Sequence, residues 1–179
     1  MGVFGGGGGL GRALGVRADV VVGTLGKALG SVGGFVACDA RLREYLVNRA
    51  RSFVFATALP PPSAGAALGA LDRLGSDPGL GDALLGRARA FHGALAARGL
   101  SLPPFASQIL PVHVGGNAEA LALASRLRAE GLLVTAVRPP TVPAGTARLR
   151  LSVTLAHGPG TLAAAADLVA GAAREAGIA

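Results

Sequence analysis

An α/β fold is what this sequence predicts, on three observations. Beyond about residue 77, short apolar runs alternate with helix-length amphipathic stretches, the pattern of strands interleaved with helices. Within residues 147–154, Leu149, Leu151 and Val153 alternate with Arg148, Arg150 and Ser152, which gives one strand an apolar face and a polar face. Hydrophobic residues make up 51% of the 179 and charged residues only 15%, far too apolar a balance for a disordered chain. Much of that apolar content is alanine, and glycine reaches 29 residues, so the core must come from close backbone packing with a modest stability margin.

The elements follow in order. Residues 1–15 form a glycine-rich opening that suits neither strand nor helix. Residues 18–24 read as a short buried strand, running into a loop with glycine at positions 26, 30, 33 and 34. A second strand covers 34–38. Asp39 is placed to cap a helix over 40–51, with Leu42, Tyr45 and Leu46 on one face. Phe53-Val54-Phe55-Ala56-Thr57 reads as a third strand, and Pro60-Pro61-Pro62 stops it and opens a helix over 63–74. The Ser, Asp, Pro and Gly of 75–81 mark a domain boundary, expected between a first part, 1–75, and a second, 76–179. Beyond it come a helix to about Arg98, a strand at 108–114, a helix at 118–130, strands at 132–137 and 147–154, and an alanine-rich helix at 160–176.

Composition excludes several functions. One cysteine, Cys38, rules out a disulfide framework and a cysteine-cluster metal site; it reads as a small buried hydrophobe. No apolar run approaches the roughly 18 residues of a membrane span, and the N-terminus has no signal-peptide pattern, so the expectation is a cytoplasmic protein without membrane contact. The net charge of +7 is diffuse and lacks aromatic interleaving, which argues against nucleic-acid binding.

The same charge makes Lys27 informative. Of the 17 basic residues it is the single lysine, in a chain that uses arginine for every other cation. Arginine cannot replace an amine that must lose its proton and attack a carbonyl. Glycines around a lone lysine at a strand end suit a Schiff-base site, where backbone approaches a flat cofactor and a desolvated amine has a lowered pKa. Thr24, three residues earlier, offers a hydroxyl to a phosphate. Ala28 stands where the magnesium-binding Ser or Thr belongs, which argues against a phosphate-loop NTPase. His113, in an apolar strand, reads as a structural histidine, His157 as a loop histidine, and Arg148 as the solvated neighbour of Arg150.

Three segments carry a resemblance. Residues 19–34, Asp-Val-Val-Val-Gly-Thr-Leu-Gly-Lys-Ala-Leu-Gly-Ser-Val-Gly-Gly, resemble the cofactor-lysine segment of the α-oxoamine synthases, pyridoxal-phosphate enzymes of the aspartate-aminotransferase fold (fold type I). The likeness continues through residues 53–61 and is strongest over 135–157, which contains Arg138-Pro139-Pro140-Thr141 and Ala147-Arg148-Leu149-Arg150. That last segment is similar to the biotin-synthesis branch of the family; aminolevulinate synthases and glycine C-acetyltransferases usually carry Tyr-Pro where this chain has Arg138-Pro139-Pro140.

The resemblance implies a fold made of a partial large-domain sheet plus a small α/β C-terminal domain. It implies pyridoxal 5'-phosphate as cofactor and Lys27 as the residue that binds it covalently and later moves a proton. Thr24 would hold the cofactor phosphate, and Thr57 would reach a phosphate across a homodimer interface. Arg150 would pair with the amino-acid carboxylate and Thr141 would line the acyl side; no metal is implied. The implied reaction condenses L-alanine with a pimeloyl thioester, of coenzyme A or acyl carrier protein, to 8-amino-7-oxononanoate with loss of CO2. Family members run to roughly twice this length and carry an Asp-Glu-Ala-His segment ahead of the counterpart of residues 1–5. The expectation is therefore a C-terminal half, silent in catalysis by itself. The alternatives are another α-oxoamine synthase and a non-catalytic remnant.

Overall fold

A computed structural model describes residues 1–178. The chain packs into two units, Met1–Asp82 and Ala83–Ala179. The boundary expected at 75/76 falls in the last turn of a helix that ends at Ser76.

In the first unit the glycine-rich opening folds back on itself, with the Gly2 N–H donating to the Gly7 carbonyl at 2.7 Å and the Gly9 N–H to that of Phe4 at 2.9 Å. Gly5 lies at φ 62, and a Cβ there would stand 2.8 Å from the Ala13 nitrogen, so this tight wrap requires glycine. It delivers a four-residue helix, α1 (Leu10–Ala13), where neither helix nor strand is expected from composition. Strands β1 (Val21–Thr24) and β2 (Gly34–Ala37) pair antiparallel, from Val21 opposite Ala37 to Thr24 opposite Gly34. Gly23 is needed here, because its Cβ would lie 2.3 Å from the Phe35 ring.

Helix α2 (Ala40–Arg49) starts on the predicted cap, with Asp39 Oδ1 accepting from the Leu42 N–H at 2.9 Å. The expected third strand is a correction: residues 51–54 form a short helix, α3 (Arg51–Val54), followed by coil. A strand needs a partner for its N–H groups, and here they are taken locally, Val54 by Ala50 at 2.9 Å and Phe55 by Arg51 at 3.0 Å. Helix α4 (Pro61–Ser76) opens on proline, whose missing N–H costs nothing in a first turn. The buried core of this unit is three residues, Leu25, Leu29 and Ala67, with Phe35, Ala70 and Leu74 packed beside them.

The second unit is a two-layer α/β structure. Strands β3 (Ile109–Gly115), β4 (Thr135–Val137) and β5 (Ala147–Ser152) form an antiparallel sheet in the order β3-β5-β4. Helices α5 (Leu80–Ala96, entering from the unit boundary), α6 (Asn117–Ala129) and α7 (Pro159–Glu175) supply the other layer. The alternation read in the sequence holds: Leu149 and Leu151 are buried while Arg150 and Ser152 are exposed. Val112, Leu149, Leu95, Leu127 and Val169 meet in one core, and α7 closes it with Ala166, Ala170 and Ala173, all fully buried. Alanine suits that helix because it lets its backbone approach α6 closely. Among the described residues no helix is long and apolar enough to cross a membrane.

Candidate active site

Lys27 sits in the connection between β1 and β2, and that connection is closed rather than loose. The Leu25 N–H donates to the Gly33 carbonyl, the Ser31 N–H to that of Leu25, both at 2.9 Å, and the Gly30 N–H to that of Lys27 at 3.0 Å. The Ser31 hydroxyl donates to the Ser63 carbonyl at 2.6 Å, tying the loop to α4. Leu25 and Leu29 turn inward to the small core, which leaves Lys27 facing out. Thr24 ends β1, and its Oγ1 accepts from the Gly26 N–H at 3.2 Å, so its own proton stays available to an anion.

Lys27 and Thr24 line one cavity of about 610 Å³ whose floor is β1 and whose rim is the glycine-rich opening. No Asp or Glu lines it. The expected desolvation of the amine is a correction: Lys27 is exposed, because the apolar side chains of its loop point away from it. Arg12, one of the scattered arginines of the sequence, lines the same cavity. The Arg12 Cδ passes 2.6 Å from where a Cβ on Gly8 would stand, so a side chain there would push the arginine aside.

Thr57 is exposed in the coil after α3 and is not part of the Lys27 cavity; the strand it was expected to end does not exist. In the second unit, Arg150 stands in the middle of β5 on the outward face, between Pro111 of β3 and Thr135 of β4. It is exposed and makes no ion pair among the described residues. Thr141 is exposed in the turn after β4, its N–H held by the Arg138 carbonyl at 3.0 Å. Three further expectations change. Arg148 is not merely solvated: its Nε and Nη2 donate to the carbonyl and hydroxyl of Thr146 at 3.0 and 3.1 Å. His113 is exposed, not a core histidine, and Cys38 is only half-buried. Among the described residues no cluster of His, Cys, Asp or Glu could hold a metal ion.

Residues 4–168 match the family model described as aminotransferase class I and II. The chain belongs to this family. Within it, the sequence is 49% identical over 177 residues to the 8-amino-7-oxononanoate synthase of Anaeromyxobacter dehalogenans strain 2CP-C, covering 95% of this chain and 45% of that protein. The fold matches a serine palmitoyltransferase from S. paucimobilis solved with a bound PLP–myriocin aldimine, at TM-score 0.92 and 33% identity, covering 100% of this chain and 46% of that one. It also matches the 8-amino-7-oxononanoate synthase of Francisella tularensis, at TM-score 0.82 and 26% identity, covering 98% and 52%. The chain thus spans less than half the length of the curated relatives it matches.

Proposed function

We propose that the chain carries the lysine-bearing and carboxylate-binding part of a pyridoxal-phosphate acyltransferase. Its reaction joins the α-carbon of L-alanine to the acyl carbon of a pimeloyl thioester. The thioester C–S bond and the alanine carboxylate bond break, and the products are 8-amino-7-oxononanoate, CO2 and the free thiol of coenzyme A or acyl carrier protein. The observation that carries this reading is the single lysine of an arginine-rich chain, set beside a threonine hydroxyl in one cavity, in a sequence 49% identical to a synthase of this product.

The donor set fits the cofactor. A primary amine can condense with its aldehyde, and the Thr24 hydroxyl and the Arg12 guanidinium can donate hydrogen bonds to its phosphate. When bound, pyridoxal phosphate supplies an electron sink for the substrate α-carbon. Lys27 would hold it and exchange a proton at its amine nitrogen. Arg150, with its planar fork of N–H donors free, would clamp the alanine carboxylate bidentately. Thr141 would line the acyl side, and Thr57 would approach a phosphate across a homodimer interface.

A second reading, another α-oxoamine synthase with a different amino acid, is favoured by the closer fold match to serine palmitoyltransferase. Fold is shared across chemistries, so the stronger sequence identity supports alanine. The test is to load the chain with pyridoxal phosphate, reduce with borohydride and map the peptides. The label is expected on Lys27 and lost in Lys27→Arg; label confined to the Met1 amine would overturn the reading.

A further inference from the structure

The lysine turn is joined to the rest of its unit by one directional side-chain contact. The Ser31 hydroxyl donates to the Ser63 carbonyl at 2.6 Å, across 32 residues of chain, and both residues are half-buried. Among the described residues, every other side-chain hydrogen bond of the first unit joins residues no more than four apart. The buried cluster of Leu25, Leu29 and Ala67 presses the turn against α4, but apolar burial is non-directional and sets no orientation. A hydrogen bond from a hydroxyl to a helical carbonyl does set one.

Ser31 is also coupled to the lysine through the backbone. Its N–H donates to the Leu25 carbonyl at 2.9 Å, and the N–H of its neighbour Gly30 donates to the Lys27 carbonyl at 3.0 Å. The turn from Leu25 to Ser31 is thus braced internally, and the Ser31 hydroxyl ties the braced turn to α4. Thr24 is placed by other means. It ends β1 in register with Gly34 of β2, so the strand pairing holds its hydroxyl whether or not the tie is present.

Resting on the reading of Lys27 as the cofactor lysine, we infer that Ser31 is a positioning residue for the Lys27 amine. Its hydroxyl sets where the turn sits on α4, and so how the amine meets the cofactor aldehyde. The phosphate contact at Thr24 is independent of it. Removing the hydroxyl should cost the fold little, because the Ser63 carbonyl lies inside α4 and keeps its helical partner, the Ala67 N–H. No buried acceptor is orphaned in Ser31→Ala.

The test is to incubate the full chain with pyridoxal phosphate over a range of concentrations, reduce with borohydride and map the peptides. The lysine amine condenses with the aldehyde, releasing water, and the added hydride fixes the product as a secondary amine. Ser31→Ala should raise the concentration for half-maximal labelling of Lys27 about fivefold, the weight of one hydrogen bond. Ser31→Thr, which keeps the hydroxyl, should restore it. Pyridoxine 5'-phosphate carries the ring and phosphate without the aldehyde, and its binding by equilibrium dialysis should be the same in all three chains. Unchanged half-maximal labelling in Ser31→Ala overturns the inference, as does a threonine variant that stays as weak as the alanine one. A parallel loss of pyridoxine phosphate binding gives Ser31 a merely structural role and also overturns it. An unsubstituted chain that takes no label at Lys27 fails earlier, on the lysine reading itself, and this inference falls with it.

Discussion

Gly23 connects sequence to site at the scale of one residue. Its missing Cβ is what lets the Phe35 ring cross β1 directly beneath the threonine–lysine turn. Gly23→Ala puts a methyl 2.3 Å from two ring carbons, and in so small a core the ring must leave. The expected outcome is a several-fold lower yield of borohydride-trapped cofactor on Lys27 with the melting of the second unit unchanged; an unaltered yield would refute it. Charge at this scale also makes a pH prediction. The Arg98 guanidinium bonded to Asp167 holds that carboxyl below its ordinary value, and Arg126 does the same for Glu175. A carboxyl with a depressed folded pKa adds stability that is present above its ordinary range and lost as pH falls through the folded value. Denaturant midpoints measured between about pH 5 and pH 3 should therefore fall less in Arg98→Ala than in the unsubstituted chain. An equal or steeper fall would count against the assignment.

At the scale of the element, β5 is the centre of the second unit, paired on both sides and fully buried at Leu149. Leu149→Ala removes that side chain from a site closed by helices and strands, and is expected to cost about 2–5 kcal/mol in denaturant unfolding. A cost under about 1 kcal/mol would mean the site collapses freely. Strand β5 was also the most legible element, because its alternation is a local signal that tertiary contacts only reinforce. The same alternation, read along Leu110, Val112 and His113, puts the histidine outside, so its exposure was legible and was missed by weighing the apolar run as a whole. Residues 53–57 were not legible. Their aromatic and β-branched side chains favour a strand, but a strand exists only with a partner, and partner choice is non-local. The helix inside the glycine-rich opening escaped for a related reason: its entry is fixed by glycine turns whose hydrogen bonds composition does not reveal. At the site, the glycine spacing located the lysine turn, whereas the exposure of the amine depends on where distant segments pack.

At the scale of the whole molecule, the two units differ in how much apolar surface they bury. Among the described residues, three buried hydrophobics lie in the first unit and twenty in the second, while seventeen of the twenty-one exposed large hydrophobics lie in the first. Among the described residues the β1-β2 pair has no further strand on either side, and Val22, Phe53 and Phe55 are 77%, 63% and 77% exposed. Unpaired strand edges and contiguous apolar surface both promote association. Local stability follows buried contacts, so protection from hydrogen exchange should be uneven. The amides of β3, β5 and α7 are expected to exchange slowest, and those of β1, β2 and the Lys27 loop to exchange orders of magnitude faster. The fast-exchanging part should also drive self-association that rises with concentration. This tests whether the lysine site is held by the chain's own packing: the closed loop around Lys27 rests on three buried side chains, Leu25, Leu29 and Ala67, with half-buried neighbours and the Ser31–Ser63 hydrogen bond beside them. Strong protection of Val20–Thr24 in a monodisperse monomer would overturn the expectation and show that three buried side chains suffice.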